Sequence, residues 1–290
     1  EFIDFISRQF SRHDRLEIIT SSLRENAYGG DSLFLDVCYL RYAGDLIARR
    51  RDRGTLILVF PRPELCDACC AYLRGVTDEE CVRIGGSGRT LAEYSRKVYD
   101  FMRHRYRGLR RVWSRMGAAG RPRPGAADGK ITLVRTWLDQ RNFLNGEFTE
   151  TYLGALLQRA RHRIVFCFYV LDNASYAALV QQLARLQVPF ITEEQYLTAT
   201  DVAVAFIAGL RPLRRYRNVS FQGFDITALC NHYQRADWLR NRSCGYFLQE
   251  AALGNMARQG LAPGEIFYPF ENQPWEKVLN RAAARHFPEA

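Results

Sequence analysis

The sequence predicts an α/β protein built on a Rossmann-like parallel sheet with flanking helices. Three observations carry that reading. Short continuous apolar runs alternate with segments of helical spacing, which is the rhythm of strand–helix–strand units. The apolar runs stay apolar at successive positions, as strands covered on both faces require. Apolar residues make up 47% and aromatics 13% of 290 residues, ample for a large core.

In chain order, residues 32–50 place Leu33, Val37, Leu40, Ala43, Leu46 and Ile47 at helical spacing. Thr55–Phe60 reads as a strand, and Glu64–Leu73, beyond Pro61 and Pro63, as a helix. Val82–Ile84 reads as a short strand before Gly85-Gly86-Ser87-Gly88. A long helix is predicted over 90–115. Residues 116–129, rich in Gly and Pro, read as a linker or mobile loop. The rhythm then resumes with strands at 130–138, 163–171, 188–192 and 265–270. Helices are predicted at 149–160, 174–186, 194–209, 225–240, 245–259 and 274–286. The expected division is an N-terminal α/β region over 1–115, the linker, and a Rossmann-like domain over 130–290. Two α/β subdomains, or a region over 1–115 that completes one sheet, are the alternatives. Both ends read as cut, as in a piece of a longer protein.

The formal net charge is +10, yet 38 of the 41 basic residues are Arg, a skew that reflects coding composition more than selection for a polyanion. Nucleic acid is therefore a weak expectation, and phosphates, nucleotide sugars or an anionic membrane surface fit the charge better. No run of 18 apolar residues exists to span a bilayer. Of eight Cys, only Cys66, Cys69 and Cys70 cluster, and at helical spacing they form one apolar face rather than a metal site. Unpaired, scattered Cys suit a reducing cytoplasm. The five His are scattered, and neither His-Glu-x-x-His, Gly-x-Ser-x-Gly nor Asp-x-Asp occurs.

In open parallel sheets ligands bind beyond the carboxyl ends of the strands. Those ends carry Trp137, Asp139, Arg141, Glu147 and Glu150, then Asp172-Asn173, then Glu193-Glu194, then Glu271, Asn272, Gln273 and Glu276. Carboxylates converging on one rim suit acid–base work on a sugar hydroxyl, with Glu271, Glu150 and Asp139 as the candidates. Arg135 and Arg141 are placed to neutralise an acidic sugar or a phosphate. Asn272, Gln273, Glu276 and Trp137 complete the candidate substrate contacts. Each has a plainer role beside it. Asp172-Asn173 fits a helix cap, Gln273-Pro274-x-Glu276 fits a capping box with Pro at N1, and Glu150 suits a helix start. The Gly85–Gly88 loop is neither a full dinucleotide fingerprint nor a Walker A, so a turn fits it better than a phosphate cradle. The helix at 90–115 carries eight basic residues beside an apolar stripe. That pattern suits an ordinary surface helix, a membrane-surface contact or a nucleic-acid grip.

Three runs together resemble a known family. They are Leu133-Val134-Arg135-Thr136-Trp137-Leu138-Asp139, Gly146-Glu147-Phe148-Thr149-Glu150-Thr151-Tyr152-Leu153-Gly154, and Phe267-Tyr268-Pro269-Phe270-Glu271-Asn272-Gln273-Pro274-Trp275-Glu276. The chain over about 130–290 resembles bacterial surface-carbohydrate (O-antigen or capsule) biosynthesis proteins, GT-B-like glycosyltransferases distantly similar to Kdo transferases. The last run is the most specific, and residues 1–115 match no motif. The resemblance implies a two-lobed enzyme with its site between Rossmann-like lobes and a nucleotide sugar on the C-terminal lobe. It also implies transfer without a bound metal or other cofactor, and a glycan or lipid-linked acceptor met at the inner face of the plasma membrane. This chain would then be mainly the acceptor-side part. The competing expectation is a non-enzymatic module that binds nucleic acid or another anionic partner through the Arg-rich helix. A third is a regulatory nucleotide domain using Gly85–Gly88.

Overall fold

The computed structural model describes residues 4–5, 33–49, 55–76, 82, 91–120, 129–170, 176–211, 215–239, 242–271 and 273–290. Two compact units are present: Glu1–His104 with Arg211–Ser243, and Arg105–Leu210 with Cys244–Ala290.

The first unit is mainly helical among its described residues, with one short hairpin. Helices α1 (Leu33–Ala48) and α2 (Pro63–Val76) pack with a later helix, α6 (Thr227–Leu239). Leu33, Val37 and Leu40 of α1 repeat every three to four residues and are buried against Leu65 and Cys69 of α2 and Leu229 and Cys230 of α6. A hairpin of β6 (Ser220–Phe221) and β7 (Phe224–Asp225) precedes α6. Its turn, Gln222-Gly223, has φ of 49° and 86°, both in the left-handed region. The buried carboxylate of Asp36 ties the three helices together. It accepts from Arg62 Nη1 at 2.5 Å and from the Tyr233 hydroxyl at 2.8 Å. Burial pushes the Asp36 carboxyl up, and Tyr233 and Arg62 partly offset this.

The division differs from the expected one. The long helix α3 runs over Leu91–Ala119, so the chain does not break at residue 116, and the boundary between units falls within α3. Residues 211–243 were read as part of the sheet domain, but Ile226, Leu229 and Tyr233 are buried in the first unit's core.

The strand expected at Thr55–Phe60 is irregular chain with no sheet partner among the described residues. Leu58 and Phe60 pack inward, whereas Ile57 and Val59 are 80% and 89% exposed. Apolar content alone does not make a strand when no neighbour accepts its backbone hydrogen bonds. Val82 is likewise exposed and outside any strand, and Arg83 and Ile84 lie outside the described residues, as do Gly85–Gly88 and residues 121–128.

The second unit is a four-stranded parallel sheet flanked by helices, compatible with a Rossmann-like lobe. Its strands are β1 (Ile131–Leu138), β4 (Arg163–Val170), β5 (Phe190–Thr192) and β8 (Pro263–Phe267). Their order is β5-β4-β1-β8, that of one half of a doubly wound sheet. Trp137 is level with Tyr169, Arg135 with Cys167, and Phe168 with Thr192. Both faces are covered, which explains the unbroken apolar runs. On one face Ile131, Leu133, Val165, Cys167 and Ile191 meet α7 (Arg242–Arg258) and α8 (Pro274–His286). On the other, Val134, Leu138, Phe166, Phe168 and Val170 meet α4 (Tyr176–Arg185). Helix α5 (Ala199–Gly209) follows β5 and packs with α7 and α3 through Val202, Ala205, Leu248, Leu109 and Val112.

The helix expected over 149–160 is absent. A hairpin of β2 (Phe143–Leu144) and β3 (Glu147–Phe148) turns on Asn145-Gly146, and a short 3-10 segment follows at Gly154–Arg159. Gly154 has φ of +38°, outside the helical region.

Candidate functional site

Because all four strands are parallel, their carboxyl ends share one rim. The switch in strand order lies between β1 and β8, where a crevice for a ligand is expected. Alternation along β1 places Arg135 and Trp137 on one face. Trp137 is half-buried, and its ring meets Tyr152 edge-on at 4.8 Å and Trp275 at 6.0 Å. Trp275 in turn meets Tyr268 at 5.9 Å. Four aromatic rings therefore line the switch point, drawn from β1, the loop after β3, the segment after β8 and the first turn of α8.

Arg135 lies beneath them with 2% of its surface exposed. Its guanidinium sits 5.4 Å from the ring centres of both Tyr169 and Trp275. Arg135 Nη2 is 2.8 Å from Glu193 Oε1, off the line of a hydrogen bond, and Arg135 Nε has no hydrogen-bond partner. Burial favours the neutral forms of both groups. It leaves the Glu193 carboxyl above its ordinary value despite Arg135, while Glu193 holds Arg135 charged. Burial also pushes the Cys167 thiol, level with Arg135, to about 12, so it carries no thiolate chemistry.

A second ion pair stands at the same rim. Arg115 Nη1 contacts Glu194 Oε1 at 3.1 Å, and Nη2 donates to the Val170 carbonyl at 2.9 Å. The Tyr176 hydroxyl donates to Glu194 Oε2 at 3.1 Å. Sequence reading found Glu193-Glu194 as strand-end acids but missed their partners. Arg115 reads as one more arginine of a basic helix, and Tyr176 as an apolar helix position. Arg115, half-buried against a ring and a carboxylate, is bound into the fold.

The three candidate acids differ in environment. Glu150 is spent on local structure: its oxygens accept from the backbone N–H groups of Tyr152, Leu153 and Gly154 at 2.5–3.1 Å and from the Thr136 hydroxyl at 2.9 Å. Glu150→Ala is expected to cost about 1.5–3 kcal/mol, the worth of hydrogen bonds to a charged group, and urea titration measures it. Asp139 caps the 3-10 turn Gln140–Asn142 and holds Arg141 through contacts of 2.5–3.2 Å. Arg141's hydrogen bonds hold the Asp139 carboxyl below its ordinary value. Asp139 and Arg141 therefore satisfy one another. Glu271 is exposed, and its backbone N–H donates to Glu276 Oε1 at 2.8 Å.

Glu276 is 1% exposed, and the same oxygen accepts from the Gln273 N–H at 3.0 Å, completing the expected capping box ahead of α8. Gln273 and Glu276 thus shape the rim loop. Asn272 and Asp172-Asn173 lie outside the described residues.

The arrangement is an aromatic wall over a neutralised arginine, with the exposed Glu271 in the loop that leads into Trp275. The turn after β1 holds no glycine and opens a 3-10 turn rather than an α-helix, so it is not the glycine-rich diphosphate cradle of a dinucleotide fold. Among the described residues, no group of three or more His, Cys, Asp and Glu side chains is placed to hold a metal ion, and no helix is long and apolar enough to cross a membrane. Comparison with family models, curated proteins and solved structures finds no match for the chain.

Proposed function

We propose that the second unit is the acceptor-side lobe of a GT-B-type glycosyltransferase in bacterial surface polysaccharide assembly. The observation that carries this reading is the ring set Trp137, Trp275, Tyr268 and Tyr152 at the switch point, beside the exposed Glu271. Aromatic rings with polar edges present an apolar face to the C–H side of a sugar, and a few polar groups fix its orientation. Glu271 is the candidate base for the acceptor hydroxyl: it would take that proton as the oxygen attacks the donor's anomeric carbon and the nucleoside phosphate leaves. Membrane-side lipid-linked glycans and a nucleotide sugar are the partners this reading names.

Glu271→Gln is expected to lower sugar transfer by roughly 10²–10⁴-fold with an unchanged melting temperature, the usual range for losing a general base. The measurement is nucleotide release from CMP-, UDP-, GDP- and dTDP-linked sugars in the presence of glycan acceptors. An undiminished rate in the variant removes Glu271 from the mechanism. A thermal-shift panel with the same donors, acceptors and short oligonucleotides at two salt concentrations tests the class itself, since any bound ligand stabilises the fold by mass action. Salt-tolerant shifts with sugars support the transferase.

The exposed arginines of α3 favour a second reading, a module for an anionic partner that works without the rim. It predicts binding that weakens steeply with salt and is indifferent to Glu271→Gln.

A further inference from the structure

Helix α3 has two apolar stripes where a surface helix needs one. The inward stripe is Phe101, Leu109, Val112, Met116 and Ala119. Phe101 stacks on Trp238 at 4.5 Å, and Leu109, Val112 and Met116 pack on α5 and α7. Two arginines point with it: Arg105, 3% exposed, donates to the Gly209 carbonyl at 2.6 Å, and Arg115 pairs with Glu194.

The second stripe faces outward. Tyr99, Met102, Tyr106 and Trp113 are 63%, 61%, 66% and 46% exposed. At 3.6 residues per turn they fall within a sector of about 60° and run about 21 Å along the helix. Arg103 and Arg110 adjoin the strip, and Arg96, Arg107 and Arg111 continue away from it, all exposed. Over residues 95–119 there are eight basic residues and one acid, Asp100.

We propose that this outward face of α3 docks the protein on an anionic lipid surface, with the Tyr99–Trp113 strip among the headgroups and the flanking arginines on lipid phosphates. Charge complementarity selects the occupant. Five exposed arginines call for an anion, and a continuous strip of Trp, Tyr and Met calls for an apolar phase beside it. A bilayer interface supplies both, and amphipathic aromatic rings favour that depth. A nucleic-acid duplex would satisfy the arginines and leave the strip in water. The inference rests on the helix alone and goes beyond the transferase reading.

The test is co-sedimentation of the full chain with phosphatidylcholine vesicles, with and without phosphatidylglycerol. Two variants accompany it: Tyr106→Ser with Trp113→Ser, and Arg103→Gln with Arg107→Gln and Arg110→Gln. All five side chains are exposed, so circular dichroism and melting temperature should stay unchanged. The expected result is sedimentation only with phosphatidylglycerol vesicles, weakened by salt. Losing three arginines should weaken partitioning on the order of a hundredfold, at roughly fivefold per charge near the surface. Losing the two rings should abolish the salt-resistant part. Failure of the wild-type chain to bind phosphatidylglycerol vesicles overturns the proposal. So does equal binding by the variants, or equal binding to neutral vesicles. Binding to a short duplex but to no vesicle assigns the face to nucleic acid instead.

Discussion

Arg135→Ala is expected to destabilise the second unit by about 3–5 kcal/mol, the usual cost of stranding one partner of a buried ion pair. Arg135 is buried under two rings and faces Glu193, whose side chain is 16% exposed. Removing the guanidinium leaves a carboxylate with little water to solvate it. The pH dependence comes from the direction of the Glu193 shift. Burial already raises that carboxyl above its unfolded value, so the native state holds the proton more tightly than the unfolded chain. Stability from this group is fully present below the unfolded value and declines as pH rises through the folded one. Without Arg135 the folded value climbs further. The variant's deficit should therefore be largest at alkaline pH and shrink on acidification, as Glu193 takes up its proton. Replacing both partners, Arg135→Met with Glu193→Leu, should recover most of the loss. Denaturant titrations of the four proteins at several pH values form the double-mutant cycle that measures it. A pH-independent deficit would show that Arg135 acts through ring packing rather than charge.

Phe168→Ala is the second large effect, about 3–5 kcal/mol for an aromatic side chain cut from a packed core. Phe168 is 2% exposed. Its ring lies 5.3 Å from Phe166 and nearly parallel to it, 5.5 Å from Phe148 and 6.4 Å from Phe190. Two sheet strands, β4 and β5, and the β2–β3 hairpin thus meet on one ring. Urea titration should show a lowered midpoint with an unchanged slope for the transition that carries this unit. Phe168→Leu, closer in volume, should lose less than half as much. A comparable loss for both would mean that ring stacking, rather than filled volume, holds the hairpin down.

The strands and helices after residue 130 were legible because each is a local pattern. The β4 run Arg163–Val170 is apolar at seven of its eight positions, and Pro274 with Glu276 announces α8. Segment 149–160 misled because its apolar residues have helical spacing, while the competing arrangement, the Glu150 carboxylate gathering the N–H groups of Tyr152, Leu153 and Gly154, is fixed by a hydrogen bond from Thr136 on β1 that local sequence does not announce. Thr55–Phe60 misled because apolar runs report burial on average, and here alternate residues face solvent. At the rim, the positions of Trp137, Glu271 and the capping box could be read from the residues at and just beyond each strand's carboxyl end. The pairing of Arg135 with Glu193 could not, since it reaches from β1 across β4 to the end of β5, and strand order is not written in local sequence. Tyr152 and Tyr268 gave a signal only in retrospect, as aromatics flanking strand ends.

The chain leaves the second unit at Leu210 and re-enters it at Cys244, and the sheet's β8 comes only at Pro263–Phe267. This threading sets an order on synthesis. As the polypeptide emerges from the ribosome, α1 and α2 must wait for α6 before their shared core can close. β1 must wait longer still for its second neighbour. The first unit can close once α6 is made, whereas the second keeps apolar surface uncovered until β8 and α8 follow. Such late, non-local closure is slow and leaves unfinished apolar surface open to association between nascent chains.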